Sequence, residues 1–423
     1  MSTAAIRRAF EDRGHELPGT AQTHAQRRRA LDHFGELGLP GRRIEAWHYT
    51  DLSSFADKAF DFFAPVPDDA ALDSAARLLA SHAPIDSGTR IVFVDGHRIE
   101  SLGDAKADPS IEILPLTLES AALADDSALS ALNTVFLREG ARVRVTGRAQ
   151  APIELVFVGT GRGFAPQLKL AIELAAGAEA TAIVSFIDVA GADEGWLNLV
   201  TDLTLGEESA LTLYRLQTHD AQLNHTAIHR ASLSRRARLV AAHVERGGKL
   251  VRNEFEIALQ GTEAEAHVFG LALTRDRQHC DTRIVIDHSA ARTTSRQDYR
   301  AIVADASRSV FNGKVIVRQH AQHIDARQRN DNLLLSTKAE VDTKPEFEIY
   351  ADQVVCSHGA TVGELDEEQL FYLRTRGIDA ESARGILTTA FADTILERIA
   401  HEGFRERARR VIDDALPRTI GIG

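Results

Sequence analysis

Near the C-terminal end a thiol and an imidazole stand two residues apart, in Val355-Cys356-Ser357-His358-Gly359-Ala360-Thr361-Val362-Gly363. Thiolate and neutral imidazole are both metal ligands, though a Cys-x-His pair alone is a weak metal signal. In an extended strand residues i and i+2 share a face, so an extended backbone would place Cys356 and His358 side by side. Gly359 and Gly363 admit backbone conformations that cost other residues more. Other histidines, of 17 in all, form weaker patterns. His225 and His229 have i,i+4 spacing, which chelates a metal on a helix. Their surroundings read as strand, where the two share a face too far apart to chelate. His279-Cys280-Asp281 and His320-Ala321-Gln322-His323 read as solvated or packed positions. Gly159-Thr160-Gly161-Arg162-Gly163 has the glycines of a phosphate loop. It lacks the Gly-Lys-Ser/Thr ending and a following helix, so it reads as a mobile loop. No Ser-His-Asp, HExxH or paired-carboxylate pattern stands out.

Composition bounds what a Cys356–His358 pair can do. The chain has two cysteines, Cys280 and Cys356, which excludes a disulfide framework and any four-cysteine metal site built from this chain alone. Length is 423 residues, more than one ordinary core fills, so several domains or an elongated repeat are expected. Net charge is −12, which argues against nucleic acid or anionic membrane as the main partner. Arg27-Arg28-Arg29 is a local basic run that fits a solvated helix face. Residues 1–14 are charged and have no apolar core, so no secretory signal is expected, and no run of 18 apolar residues spans a membrane. A reduced, cytoplasmic protein is expected.

The elements that must position the pair fall into three parts. Residues 1–85 read as helical, with Thr20 to Leu37 ended by Gly38-Leu39-Pro40-Gly41. The aromatic string around Trp47, His48 and Tyr49 reads as a packed anchor, with a ligand site on Trp47 and His48 as the lesser reading. Ala56 to Asp69, with Phe60, Phe62 and Phe63, reads as a linker docked on a core. Residues 86–350 read as all-β. Short β-rich runs succeed one another, and proline is absent between Pro166 and Pro345. Turn-like segments starting at 177, 206, 234 and 261 recur every 27 to 29 residues, which signals a repeat architecture. Two or three strands per unit fit a parallel β-solenoid, with a β-sandwich as the alternative. Its open ends call for helical caps. Residues 351–423 turn helical after Gly363. Asp366 can cap a helix carrying Leu370, Phe371 and Leu373, with Arg374 and Arg376 in its last turn and Gly377 after it. Asp379 can start a second helix, and a third covers about 404–415. These helices fit either packed core or a docking site for another protein.

The strings Thr343 to Asp352, Cys356 to Gly363, Leu365-Asp366 and Leu370 to Ile378 closely resemble the C-terminal signature of the SufB/SufD family of iron–sulfur cluster assembly proteins. Leu39-Pro40 through Arg43, Glu45, Trp47 and Tyr49 to Leu52 are similar to the N-terminal signature of its SufD branch. Gln353 and Val355 depart from residues often acidic and basic there. The SufB branch is longer and carries additional cysteines. The resemblance implies a mainly β fold, a right-handed parallel β-helix flanked by N- and C-terminal helical domains. It implies a non-catalytic scaffold, not an enzyme, that helps build and transfer nascent clusters and supports iron acquisition. It implies pairing with a SufB-like subunit through the β-helix and with a SufC-like ABC-type ATPase through the C-terminal helices, among them Asp366, Leu370, Phe371 and Arg374. A homodimer is the form allowed without the partner. His358 is the candidate ligand for a transient iron–sulfur cluster shared across the SufB–SufD interface, with Cys356 the weaker candidate; a flavin is left undecided. A homo-oligomeric SufB-like scaffold and a polysaccharide-acting β-helix enzyme are the alternatives. The residues agree with the first reading: iron accepts imidazole and thiolate, and the missing ligands must come from a partner. Neutral imidazole is required, so assembly is expected to fail as His358 protonates at low pH.

Overall fold

Between 140 and 363 sixteen short strands wind two to a coil, about eight coils in all, with successive side chains pointing alternately into and out of the solenoid. This architecture comes from a computed structural model, which describes residues 2–82, 85–86, 88–105, 108–118, 127–191 and 193–416. One stack runs Ile153–Gly159, Glu179–Asp188, Ala210–His219, Arg238–Gly247, Glu265–Thr274, Thr294–Val303, Ile324–Leu334 and Val354–Gly363. The other runs Gly140–Val145, Gln167–Leu174, Trp196–Leu205, Asn224–Leu233, Leu250–Leu259, His279–His288, Arg308–Val317 and Glu340–Ile349. Neighbours within a stack pair in parallel, so a residue sits above its counterpart one coil away: Leu203, Ala231, Ile257 and Ile286 form one inward column. The expected solenoid is therefore present, and its coils continue past the four segments that showed the repeat. The corners explain the period. Gly177, Glu208, Arg236, Glu263, Arg292 and His323 all have positive φ, one per coil along one corner.

The N-terminal region begins at one end and packs on the outer faces of the coils. Helices α1 (Thr3–Arg13) and α2 (Ala21–Leu37) precede α3 (Asp69–Ser81), and Thr20 caps α2 reciprocally with Thr23. A further helix, α4 (Ala128–Phe136), packs between α2 and the strands Gln167–Leu174 and Trp196–Leu205. It lies inside the stretch read as all-β. Most of its residues are buried, so no polar stripe marks a 3.6-residue period. The aromatic linker docks as expected: the Phe62 ring stacks on Phe136 at 4.3 Å, and Phe55 and Phe60 flank Trp196. Thr89–Val94 and the antiparallel strand Ile111–Leu116 extend the two stacks at this end.

The C-terminal end differs from the expectation of a cap. Helices α5 (Glu367–Thr375), α6 (Ala380–Leu396) and α7 (Glu402–Asp413) follow the last strand. The apolar residues of α6 and α7 face the outer side of the first stack: Phe404 stacks on Tyr214 at 4.9 Å, and the Arg398 guanidinium lies over Phe269. These helices therefore cover a flank and leave the end coil bare. The solenoid also reaches Gly363, past the boundary placed at 350, so the expected C-terminal domain begins with a strand. Its residues 417–423 lie outside the described residues.

Candidate functional site

The terminal strand Val354–Gly363 pairs on one edge only, with Ile324–Leu334. Cys356 is in register with Ala326 and His358 with Gln328. Ala326 and Gln328 are buried inward-facing residues, so Cys356 and His358 continue the inward columns where no further coil covers them. The expected extended backbone and shared face are both present. The His358 imidazole rests on the Phe347 ring, with centroids 5.1 Å apart. Cys356 is half-buried beside an apolar group that includes Ala326, Ile324 and Ala351. Burial raises its thiol pKa and nearby Asp325 adds to the rise, while a backbone hydrogen bond to Ala326 opposes it. At neutral pH it is a thiol, and metal binding would have to displace the proton.

Gly359 and Gly363 are extended, and a Cβ at either would meet nothing within 4 Å. The conformational freedom expected of them is not used. Their smooth backbone faces open space, which is where glycine lets another chain approach closely. Six of the nine exposed large apolar side chains among the described residues gather here: Ile349, Tyr350, Val355 and Val362 on the end coil, then Phe371 and Tyr372 on α5.

The residues proposed for partner contact divide. Asp366 is the N-cap of α5, accepting from the Glu368 and Gln369 amides at 2.8 and 3.3 Å, so its carboxylate is spent on the helix. Leu370 is buried, whereas Phe371 is 69% exposed and Arg374 is exposed in the last turn. The outward face of α5 is thus Phe371, Tyr372 and Arg374. The helix follows the metal-type pair by only three residues after Gly363.

Elsewhere the structure settles the weaker patterns. Trp47 is buried beneath the Arg252 guanidinium, 4.3 Å from its ring, and Arg252 pairs with Asp281 and donates to the Ala46 carbonyl at 2.6 Å. This is the packed anchor, and His279 serves it through Thr50 at 2.8 Å. His225 and His229 are buried in the interior, with pKa values held well below the usual imidazole range by burial. The 159–163 loop is tied down: Thr160 bonds Asp95, and Arg162 pairs with Asp68 at 3.0 Å. Sequence reasoning missed the buried Arg215–Glu245 pair, because an isolated Arg or Glu in an alternating strand reads as outward-facing. Among the described residues no group of three or more His, Cys, Asp or Glu could hold a metal ion.

Comparison with known proteins follows the same outline. The family described as SUF system FeS cluster assembly, SufBD core domain, matches residues 157–391. The iron–sulfur cluster assembly protein SufD of Escherichia coli is 32% identical over 419 residues, covering 96% of this chain and 95% of that protein. An iron–sulfur cluster assembly SufBD family protein of Synechocystis is 31% identical, covering 92% and 90%. The chloroplastic protein ABCI7 of Arabidopsis thaliana is 33% identical over 224 residues, about half of each chain.

Proposed function

The chain belongs to the SufB/SufD family of iron–sulfur cluster assembly proteins and is of the SufD type, and from that premise we propose that it is a non-catalytic scaffold contributing half of an assembly site. The observation that carries the reading is the placement of Cys356 and His358 side by side on an uncovered strand. Two donors do not saturate iron, and no third donor of this chain joins them among the described residues. The partner that completes the site is a SufB-like subunit docked on the bare end coil. The nascent cluster is cargo, held between the two chains and passed on. His358 is the imidazole ligand, and Cys356 is an auxiliary thiol whose burial makes it the poorer donor. The exposed face of α5, with Phe371 and Arg374, receives an ABC-type ATPase, and the proposed setting is the cytoplasm. No helix of the described residues is long and apolar enough to cross a membrane.

Anaerobic reconstitution tests this. The chain is loaded with iron and sulfide alone and together with its SufB- and SufC-type partners, and visible absorbance is compared. Cluster absorbance should require the partners and should be lost with His358→Ala. Strong absorbance from the isolated chain would favour the homo-oligomeric scaffold and overturn the half-site.

A further inference from the structure

The solenoid interior changes character along its axis. Leu, Ile, Val and Phe fill the first coils. From the coil of Arg215 onward, polar side chains take inward positions. Arg215 is 1% exposed and donates to Glu245 at 3.2 Å and to Asn253 at 3.1 Å. On one side His219 joins Asp188 at 2.6 Å and His225 at 2.9 Å, and His225 lies 3.5 Å from Arg215. Asp188 and His219 also line an open groove of about 340 Å³. On the other side Gln328 donates to Gln297 at 3.2 Å, its amide lying over Gly313 where any Cβ would collide. Gln328 is the register neighbour of His358. A polar tract thus runs from a surface groove to the terminal strand.

In the middle of this tract, hydrogen-bonding capacity is left over. Arg215 Nε, His243 Nε2, Glu245 Oε2, Tyr299 Oη, Gln297 Nε2 and Gln328 Oε1 are buried with no hydrogen-bond partner among the described residues. Buried polar atoms without partners are costly and scarce in folded proteins, so a lumen that concentrates them implies an occupant that bonds them. The charges identify its class. Arg215 pairs with Glu245 and Asp188 is hydrogen-bonded to His219, so these groups already have partners within the tract, and no metal-type cluster of three donors forms among the described residues. Both donors and acceptors lack partners, which suits a molecule that is both. Ala272 and Ala301 succeed Glu245 in register, so the side chains at that level become small. Neutral, small and amphoteric describes water.

We propose that the C-terminal half of the lumen holds a file of ordered water running from the Asp188–His219 groove to the strand beneath His358. The file gives the terminal site a hydrated connection to solvent once a partner covers the open end. That role rests on the half-site reading above; the water file itself does not.

A high-resolution crystal structure of the full chain should show ordered water bonded to Tyr299 Oη and Gln328 Oε1, and a dry lumen overturns the proposal. Tyr299→Phe gives an independent sign. If water bonds the hydroxyl, the variant melts at a lower temperature. If the hydroxyl is buried dry, its removal raises the melting temperature and the proposal fails. His358→Ala in the reconstituted complex separates the two ideas. A wet lumen with unimpaired assembly sinks the half-site and leaves the water file; a dry lumen with lost assembly does the reverse.

Discussion

Position 358 puts an imidazole on an aromatic ring at the edge of a column that nothing covers. Removing that imidazole leaves the fold almost untouched, because an exposed side chain with one ring contact contributes little to stability. His358→Ala should therefore melt like the parent while cluster formation in the complex falls by roughly tenfold or more, the scale on which metal sites lose affinity when a supporting group is removed. Cys356→Ser should cost less, since the thiol is protonated and half-buried; an equal loss in both variants would make Cys356 a full ligand. A different histidine sets a stability limit. His288 is buried between Thr293 and Ser295, hydrogen-bonded to both, and burial lowers its pKa from 6.5 to about 4. The folded value lies below the unfolded one, so on acidification the unfolded chain takes the proton first. Stability from this group is complete above about pH 6.5, declines as pH falls from 6.5 to 4, and the full loss is roughly 3 kcal/mol. Urea unfolding across that window should show the decline, and His288→Gln should make it shallower, the buried His225, His229 and His243 supplying the remainder.

Single elements hold the coils in register, and two of them can be tested. The Trp47 segment is fastened to the solenoid by Arg252, stacked on the indole and paired with the fully buried Asp281. Arg252→Leu leaves that carboxylate uncompensated and should destabilise by about 3–5 kcal/mol, read as a lowered urea midpoint and faster proteolysis before residue 60. At a corner, Arg292 holds φ +59. Glycine tolerates this region without the Cβ clash, so Arg292→Gly should raise stability by about 1 kcal/mol, read as a higher melting temperature. These corners also show what the sequence could reveal. Turn residues recurring every 27 to 29 positions made the solenoid legible, and strand alternation placed Cys356 and His358 on one face. Helix α4 stayed hidden because it is buried on nearly every side, and the end of the solenoid was set too early. The terminal strand buries little, so Ser357, Gly359 and Thr361 give no apolar alternation to read. Charged lumen residues cannot be placed from the sequence for a related reason: alternation reports direction only when inward residues are apolar, and Arg215 and Glu245 are not.

At the scale of the whole molecule, the two ends of the solenoid are unequal. At the N-terminal end Thr89–Val94 and Ile111–Leu116 pair with the first strand of each stack, and Thr89–Val94 has an antiparallel neighbour on its other edge, whereas the C-terminal end presents two ten-residue strands, Glu340–Ile349 and Val354–Gly363, each paired on one edge only. An unpaired strand edge flanked by Val355 and Val362 is a template for another chain, and proteins ordinarily protect such edges with charge or cover. Here α6 and α7 are spent on the flank, so the edge is left open to another chain. The chain should consequently self-associate when its partner is absent, end coil to end coil, and exchange that contact for the partner when it is supplied. Val355→Lys with Val362→Lys places a charge on each side of the strand without entering the core. Thermal stability should change by no more than about 0.5 kcal/mol, as for other surface substitutions. Light scattering should then show a monomer, and capture of the SufB-type subunit should be lost. Binding of the SufC-type ATPase should persist, because Phe371 and Arg374 on α5 are unaltered. Retention of the SufB-type subunit by the double variant would move the shared site away from the end coil, and with it the argument that Cys356 and His358 wait there for the ligands of another chain.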